Sequence, residues 1–260
     1  MDKPPLDLAG ARILISNDDG IHAEGIKLLE RIALTLSDDV WVCAPEIEQS
    51  GASHSLTIHR PLRLRRIDER HYASDGTPTD CVMLAMNHIF KDRRPDLVLS
   101  GINHGANIGD DVTYSGTIAA AMEAALLGLR AIALSQNTED DMPISFAVPE
   151  QRAADLIRRL AAAQWPEDVI VNVNFPAVPP DKVGEVKVVR HGKRKIGDDL
   201  RERFDPRGRS YFWIGPLRSE VQAPPDTDIG VVINGGISVT PLCPDLTHVS
   251  SLPKFAEVLG

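Results

Sequence analysis

The sequence predicts an α/β protein built on a mostly parallel sheet with helices on both faces, followed by a C-terminal β-hairpin arm. Three observations carry this reading. Short apolar runs alternate with segments of helical period through residues 13–174. Those runs are apolar throughout rather than alternating, as strands buried on both faces are. Polar residues gather directly after three of them, where ligands of parallel sheets bind. The 260 residues, 43% hydrophobic and 25% charged, suit one large domain or a domain plus an arm. We place the core at residues 1–177 and the hairpin and C-terminal segment at 178–260.

The elements follow in order. Residues 13–16 (Ile-Leu-Ile-Ser) form the first strand. A helix over 25–36 has Ile26, Leu29, Ile32, Ala33 and Leu36 on one stripe. A second strand, 40–44, is closed by Pro45, and a polar loop runs from Glu46 to Ser55. Residues 62–66 and 71–73 form a small antiparallel pair. Thr77-Pro78-Thr79-Asp80 opens a helix with a cap, a proline in the first turn and an acid three residues on. That helix runs to about Phe90. A strand at 97–100 leads into a glycine-rich loop, 101–114. Ser115-Gly116-Thr117 opens the helix 118–127. A strand at 131–135, a mobile loop at 137–148, a helix from Pro149 to about Ala163 and a strand at 169–174 complete the core.

After Pro176 the character changes. Residues 186–189 and 210–214 read as two strands of a long hairpin. Between them lie Arg190, Lys193, Arg194, Lys195, Arg201, Arg203, Arg207 and Arg209, mixed with Asp198, Asp199, Glu202 and Asp205. A hairpin this long cannot bury itself, so it packs on a partner subunit; the alternative is a solvated flap. Residues 227–234 form a short segment, 237–242 a strand and 255–259 a last helical turn.

The formal charge of -9 argues against nucleic-acid binding through a basic surface. Cys43, Cys81 and Cys243 form no CxxC pair, and the first two sit in apolar runs, so buried free thiols in a reducing compartment are expected. No apolar span reaches the ~18 residues of a membrane helix, and residues 1–10 have no signal-like core. The expectation is a cytoplasmic protein with no membrane partner.

Four stretches carry chemistry. Asn17-Asp18-Asp19-Gly20 ends the first strand with two adjacent carboxylates, which repel unless a cation sits between them. Oxygen ligands of this kind suit Mg²⁺ or Mn²⁺. Asp-Gly also makes ordinary turns, and the motif alone does not choose. In the second loop, Ser50 offers a hydroxyl ligand and Gly51 a close backbone approach to phosphate. His54 is a candidate proton donor. In the third, Asn103 and Asn107 supply carbonyl oxygens for a metal and NH₂ groups for a phosphate, and Gly101, Gly105 and Gly109 make the span unusual. Asp110 and Asp111 read as caps or a solvated turn. In the fourth, Ser115, Gly116 and Thr117 open an Ala-rich helix whose N-terminus is an anion site, or simply a cap. There is no GxGxxG after a strand, no GxxxxGK[ST] and no GxSxG, which argues against a dinucleotide oxidoreductase, a P-loop ATPase and an α/β-hydrolase.

Ile-Ser-Asn-Asp-Asp-Gly at 15–20, Gln-Ser-Gly-Ala-Ser at 49–53 and Ser-Gly-Ile-Asn-His-Gly-Ala-Asn-Ile-Gly-Asp-Asp-Val-Thr-Tyr-Ser-Gly-Thr at 100–117 closely resemble the SurE family of nucleotidases. Residues 75–82 and the late Thr227-Asp228 and 236–242 also match its pattern, so the likeness spans almost the whole chain. It implies a Rossmann-like core, a C-terminal region exchanged between subunits of a homodimer or homotetramer, and one divalent metal, Mg²⁺ or Mn²⁺, per subunit. It implies hydrolysis of nucleoside 5′- and 3′-monophosphates, and of short-chain polyphosphate in some members. The family's metal ligands fall on Asp18, Asp19, Ser50 and Asn103. Its phosphate contacts fall on Gly51, Asn103, Asn107, Ser115, Gly116 and Thr117. One stretch departs: residues 229–234 have a glycine and β-branched residues where the family has an alanine-containing helical stretch.

Two mechanisms fit. Water attacks in line, with Asp18 and Asp19 as the catalytic pair, or one of them forms an aspartyl phosphate. His104 and His54 are candidates for the general acid. A reading from another class, a nucleotide sensor whose metal site only binds, fits the same residues.

Overall fold

A computed structural model describes residues 2–138, 143–194, 199–215 and 223–260. Lys195, Asp198 and residues 139–142 of the expected mobile loop lie outside the described residues. In order the chain forms β1 (Arg12–Ser16), α1 (Glu24–Leu34), β2 (Asp39–Pro45), β3 (Leu64–Arg66), β4 (His71–Ser74), α2 (Pro78–Leu84), β5 (Leu97–His104), α3 (Gly116–Leu126), β6 (Arg130–Gln136), α4 (Ala147–Ala161) and β7 (Ile170–Phe175). Then come β8 (Val186–Val188), β9 (Asp199–Phe204), β10 (Ser210–Gly215), α5 (Asp228–Ile233), β11 (Ile237–Leu242) and α6 (Leu252–Leu259).

Nine strands form one sheet in the order β3-β4-β2-β1-β5-β6-β7-β11-β8. From β4 to β7 every neighbouring pair is parallel. Only β3 and β11 introduce antiparallel pairs. The expected α/β fold with a mostly parallel sheet is therefore present. β1 lies between β2 and β5, so the chain winds away from it in both directions. The carboxyl end of β1 is the topological switch point, where such sheets open a crevice.

Strand side chains alternate between two cores. Ile13, Ile15, Leu97, Leu99, Ile132 and Leu134 face α1 and α4, which bring Ile26, Leu29, Leu156 and Ile157. Leu14, Val98, Ala131 and Ala133 face α2 and α3. The α3 side is built from small residues: Ala120, Ala121, Ala124 and Ala125 meet Ala131 and Ala133. That lets α3 lie close to the sheet, with its N-terminus near the end of β1. On α2 the expected capping box forms. Asp80 N–H donates to Thr77 Oγ1 at 3.1 Å, and Thr77 N–H donates to Asp80 Oδ2 at 2.9 Å. Cys43 and Cys81 are buried free thiols, as expected.

The structure corrects the sequence reading in four places. Residues 186–189 and 210–214 do not pair: β8 joins the main sheet beside β11, and the hairpin partner of β10 is β9. The first four residues of the glycine-rich loop, 101–104, are strand, because β5 continues past a register shift between Ser100 and Asn103. Residues 229–234 are helical despite their β-branched side chains. Gly230 is there because a Cβ would meet the Pro224 carbonyl oxygen at 2.1 Å. Asp110 and Asp111 do not form a solvated turn, since Asp111 is buried and both hold Arg194: Arg194 N–H donates to Asp110 Oδ2 at 2.9 Å, and the Arg194 guanidinium pairs with Asp111 at 2.5 Å.

One close approach couples α1 to β5 beside the crevice. A Cβ at Gly25 would sit 1.9 Å from the Ile102 carbonyl oxygen. Gly25→Ala should cost about 1–3 kcal/mol in urea unfolding, because the helix must lift off the strand. Gly10→Ala, where nothing lies within 4 Å, should be near neutral. Equal effects at the two positions would refute the close-packing account.

Candidate active site

The end of β1 is both a turn and an acidic site. Asn17 Nδ2 donates to Gly20 O at 2.9 Å, which closes the chain on itself. Gly20 holds φ +97° against the backbone of Ile47 and Glu48, a conformation that favours glycine. The turn leaves Asp18 buried and Asp19 half-buried. Burial raises the Asp18 carboxyl from its ordinary 3.8 to about 6, with the Asp19 charge adding to it. Thr117 opposes the rise: its Oγ1 donates to Asp18 Oδ1 at 2.5 Å, and its backbone N–H also favours the charged form. Burial raises Asp19 as well; the His104 N–H, 3.0 Å from Oδ2, pulls it back, and Glu48 pushes it up.

The second loop is hung on the first. Gln49 N–H donates to the Asp18 carbonyl at 2.7 Å. Ser50 is exposed and its Oγ donates to Glu48 Oε1 at 2.7 Å. Gly51 is exposed with φ +75° and nothing near its would-be Cβ, so the turn, not crowding, requires glycine. His54 turns elsewhere, to Glu123 Oε2 at 3.0 Å.

The third loop is clamped from behind. Asn107 N–H donates to Asn174 Oδ1 at 2.8 Å, and Asn107 O accepts from Asn172 Nδ2 at 2.8 Å and Asn174 Nδ2 at 3.1 Å. The Asn107 side chain donates to Ser135 Oγ at 2.8 Å. Two residues on, Gly109 N–H donates to Asp228 Oδ2 at 2.9 Å, and Gly192 N–H to Asp228 Oδ1 at 2.7 Å. Asn103, at the end of β5, donates its NH₂ to Gly105 O at 2.8 Å, so its carbonyl oxygen is the atom that could act as a ligand.

The fourth stretch is aimed at the first. Ser115 Oγ accepts from Ile118 N–H at 3.1 Å and caps α3. A Cβ at Gly116 would lie 2.7 Å from Asp18 Cβ and 3.0 Å from Asp18 Oδ2. The positive end of α3 thus abuts the most buried carboxylate of the site.

A cavity of about 530 Å³ opens at this point. Asp19, Glu24, Glu48, Ser50 and His104 line it, together with Ala23, Gly25, Thr138, Ile144 and Phe146. The fold thus gathers Asp18, Asp19, Ser50, Asn103, Gly116 and Thr117 around one strand end. Asn107 and Ser115 are in the same loops with their side chains committed to Ser135 and to the α3 cap. Sequence reasoning missed the supporting residues Ser135, Asn172, Asn174 and Asp228, and the cavity residue Phe146. Asn172 and Asn174, spaced two apart in an apolar strand, were the signal available for the clamp.

The donor set fits a hard divalent cation. Asp18 and Asp19 would supply the charge, and Ser50 and Asn103 would supply neutral oxygens. Asn17 Oδ1 is a further buried oxygen without a protein partner.

The family model described as "Survival protein SurE" matches residues 13–198. The chain is 60% identical over 249 residues to the 5′-nucleotidase SurE of Paramagnetospirillum magneticum, covering 95% of this chain and 96% of that one. It is 54% identical over 263 residues to the 5′-nucleotidase SurE of Rhodospirillum rubrum, covering 100% and 99%. The crystal structure of the SurE protein from Aquifex aeolicus superimposes with a TM-score of 0.83 at 38% identity, over 96% of this chain and all of that one. With the family model covering most of the sheet and all four loops, the chain belongs to the SurE family.

Proposed function

We propose that this protein is a divalent-metal-dependent phosphomonoesterase that hydrolyses nucleoside 5′-monophosphates to nucleoside and phosphate. The observation that carries the reading is the pair Asp18–Asp19, held at a switch-point crevice with a cavity beside it. The printed names of the relatives, 5′-nucleotidase SurE, support it. The reading extends to nucleoside 3′-monophosphates and short-chain polyphosphate, whose terminal phosphate offers the same group to the same donors.

Asp18, Asp19, Ser50 and Asn103 would hold the cation. A bound Mg²⁺ or Mn²⁺ neutralises charge that develops on the transferring phosphoryl group. The chain's own residues do the rest. Asp18, boxed in by Gly116 and Thr117, is a fixed charge. Asp19 reaches the cavity, so it is the carboxylate that takes the proton of an attacking water. The same boxing disfavours Asp18 as a covalent nucleophile. His104, on the cavity wall next to Asp19, gives a proton to the departing oxygen; His54, paired with Glu123, does not line the cavity. The glycine-rich loop contributes positioning, since its backbone is fixed by Asn172, Asn174 and Asp228.

We also propose a homo-oligomer with an exchanged C-terminal region. Phe212, Trp213 and Ile214 on the hairpin and Phe255, Val258 and Leu259 on α6 are all more than half exposed, which supports burial against a second copy. No helix among the described residues is long and apolar enough to cross a membrane.

Phosphate release from 5′-AMP should require Mg²⁺ or Mn²⁺ and stop in EDTA. Asp19→Asn should lower kcat at least about 100-fold; full activity in EDTA or in the variant would contradict the site. His104→Gln should lower kcat by about 10²-fold at neutral pH while His54→Gln stays within about twofold. The opposite order would move the general acid to His54.

A further inference from the structure

We infer that Phe146 is the platform on which the base of the nucleotide rests, making it a specificity-determining residue. The inference deepens the nucleotidase reading and rests on it for the orientation of the substrate. Phe146 and Ile144 line the same cavity as Asp19, Ser50 and His104, with Glu24 and Thr138 among the other lining residues. A phosphomonoester with its phosphate at Asp19 therefore has its leaving group within reach of the cavity. Its volume of about 530 Å³ is within the range of small-molecule sites, which is room for more than a phosphate.

Among the described residues, Phe146 is the only Phe, Tyr or Trp side chain lining the cavity. It is half-buried and packs against the α1/α4 core, so part of the ring is anchored and part faces the cavity. A base offers every aromatic platform the same π face, whatever its hydrogen-bonding edge. Gly25 packs at the ring edge, where a Cβ would lie 3.3 Å from Phe146 Cζ. A second cavity, about 270 Å³, shares Thr138 and Ile144 with the first and is also lined by Gln136 and Pro143.

The platform acts through π surface, so purine nucleotides depend on it more than pyrimidine nucleotides, and a base-free phosphomonoester does not depend on it at all. Phe146→Leu keeps an apolar body against the core and removes the ring. The test compares wild type with Phe146→Leu and Phe146→Tyr, in Mg²⁺, on 5′-AMP and ribose 5-phosphate, alongside calorimetric binding of adenosine. We expect Phe146→Leu to raise KM for 5′-AMP about 10-fold with kcat little changed, and to weaken adenosine binding similarly. Ribose 5-phosphate should change less than about twofold, and Phe146→Tyr should restore both signals. Unchanged adenosine affinity, or equal losses on 5′-AMP and ribose 5-phosphate, would overturn the inference. Failure of the wild type to release phosphate would defeat the nucleotidase reading instead, because adenosine binding reports the platform independently of turnover.

Discussion

The burial of Asp18 beside a second carboxylate, Asp19, at the carboxyl end of a strand buried on both faces is the constraint around which this molecule is arranged. Asp18 is 4% exposed, and burial alone pushes its carboxyl toward the neutral form. The fold supplies part of the opposing force: the Thr117 hydroxyl and backbone N–H, and the N-terminus of α3 behind them. Those contacts do not satisfy both carboxylates, and they leave Asp19 facing the cavity. On the proposed reading, a hard cation held between them would complete the balance. The small residues of α3 and of β6 follow from this, because only a close-packed α3 places Gly116 and Thr117 against Asp18.

The glycine-rich loop shows the same logic one layer out. Its glycines allow the backbone to bend, and that freedom would be costly at a site needing fixed geometry. Asn172 and Asn174 satisfy both backbone groups of Asn107, and Asp228 holds Gly109. Asp228 belongs to the C-terminal segment, as does Arg194 on Asp111. The region beyond the core is therefore part of the scaffold of the site, and Ile229 and Val232 pack on Ala106 and Ile108 to keep it there.

Much of this was legible in the sequence. The buried strands, the Thr77–Asp80 capping box and the free cysteines rest on local pattern or composition, and the structure has them; it also brings parts of the four chemistry-bearing stretches to one strand end. What failed was non-local. Val186 and Val188 look like hairpin residues because an edge strand and an arm share the same short, β-branched pattern; only the three-dimensional partner, β11, separates them. Gly230 looked helix-breaking because the Pro224 carbonyl that excludes a side chain is distant in contact, not in pattern. Arg194 reaching Asp111, and Phe146 reaching the cavity, likewise depend on how separate loops converge.

The most direct measurement is Mn²⁺ binding by calorimetry across pH, on wild type and Asp18→Asn. A folded-state value near 6 means that Asp18 is largely protonated below that pH and must lose its proton to bind metal. The account predicts one Mn²⁺ per chain at pH 8, affinity that falls as pH drops through about 6 with proton release on binding, and loss of the site in Asp18→Asn. Equal Mn²⁺ binding by the two proteins, or affinity independent of pH between 5 and 8, would contradict it.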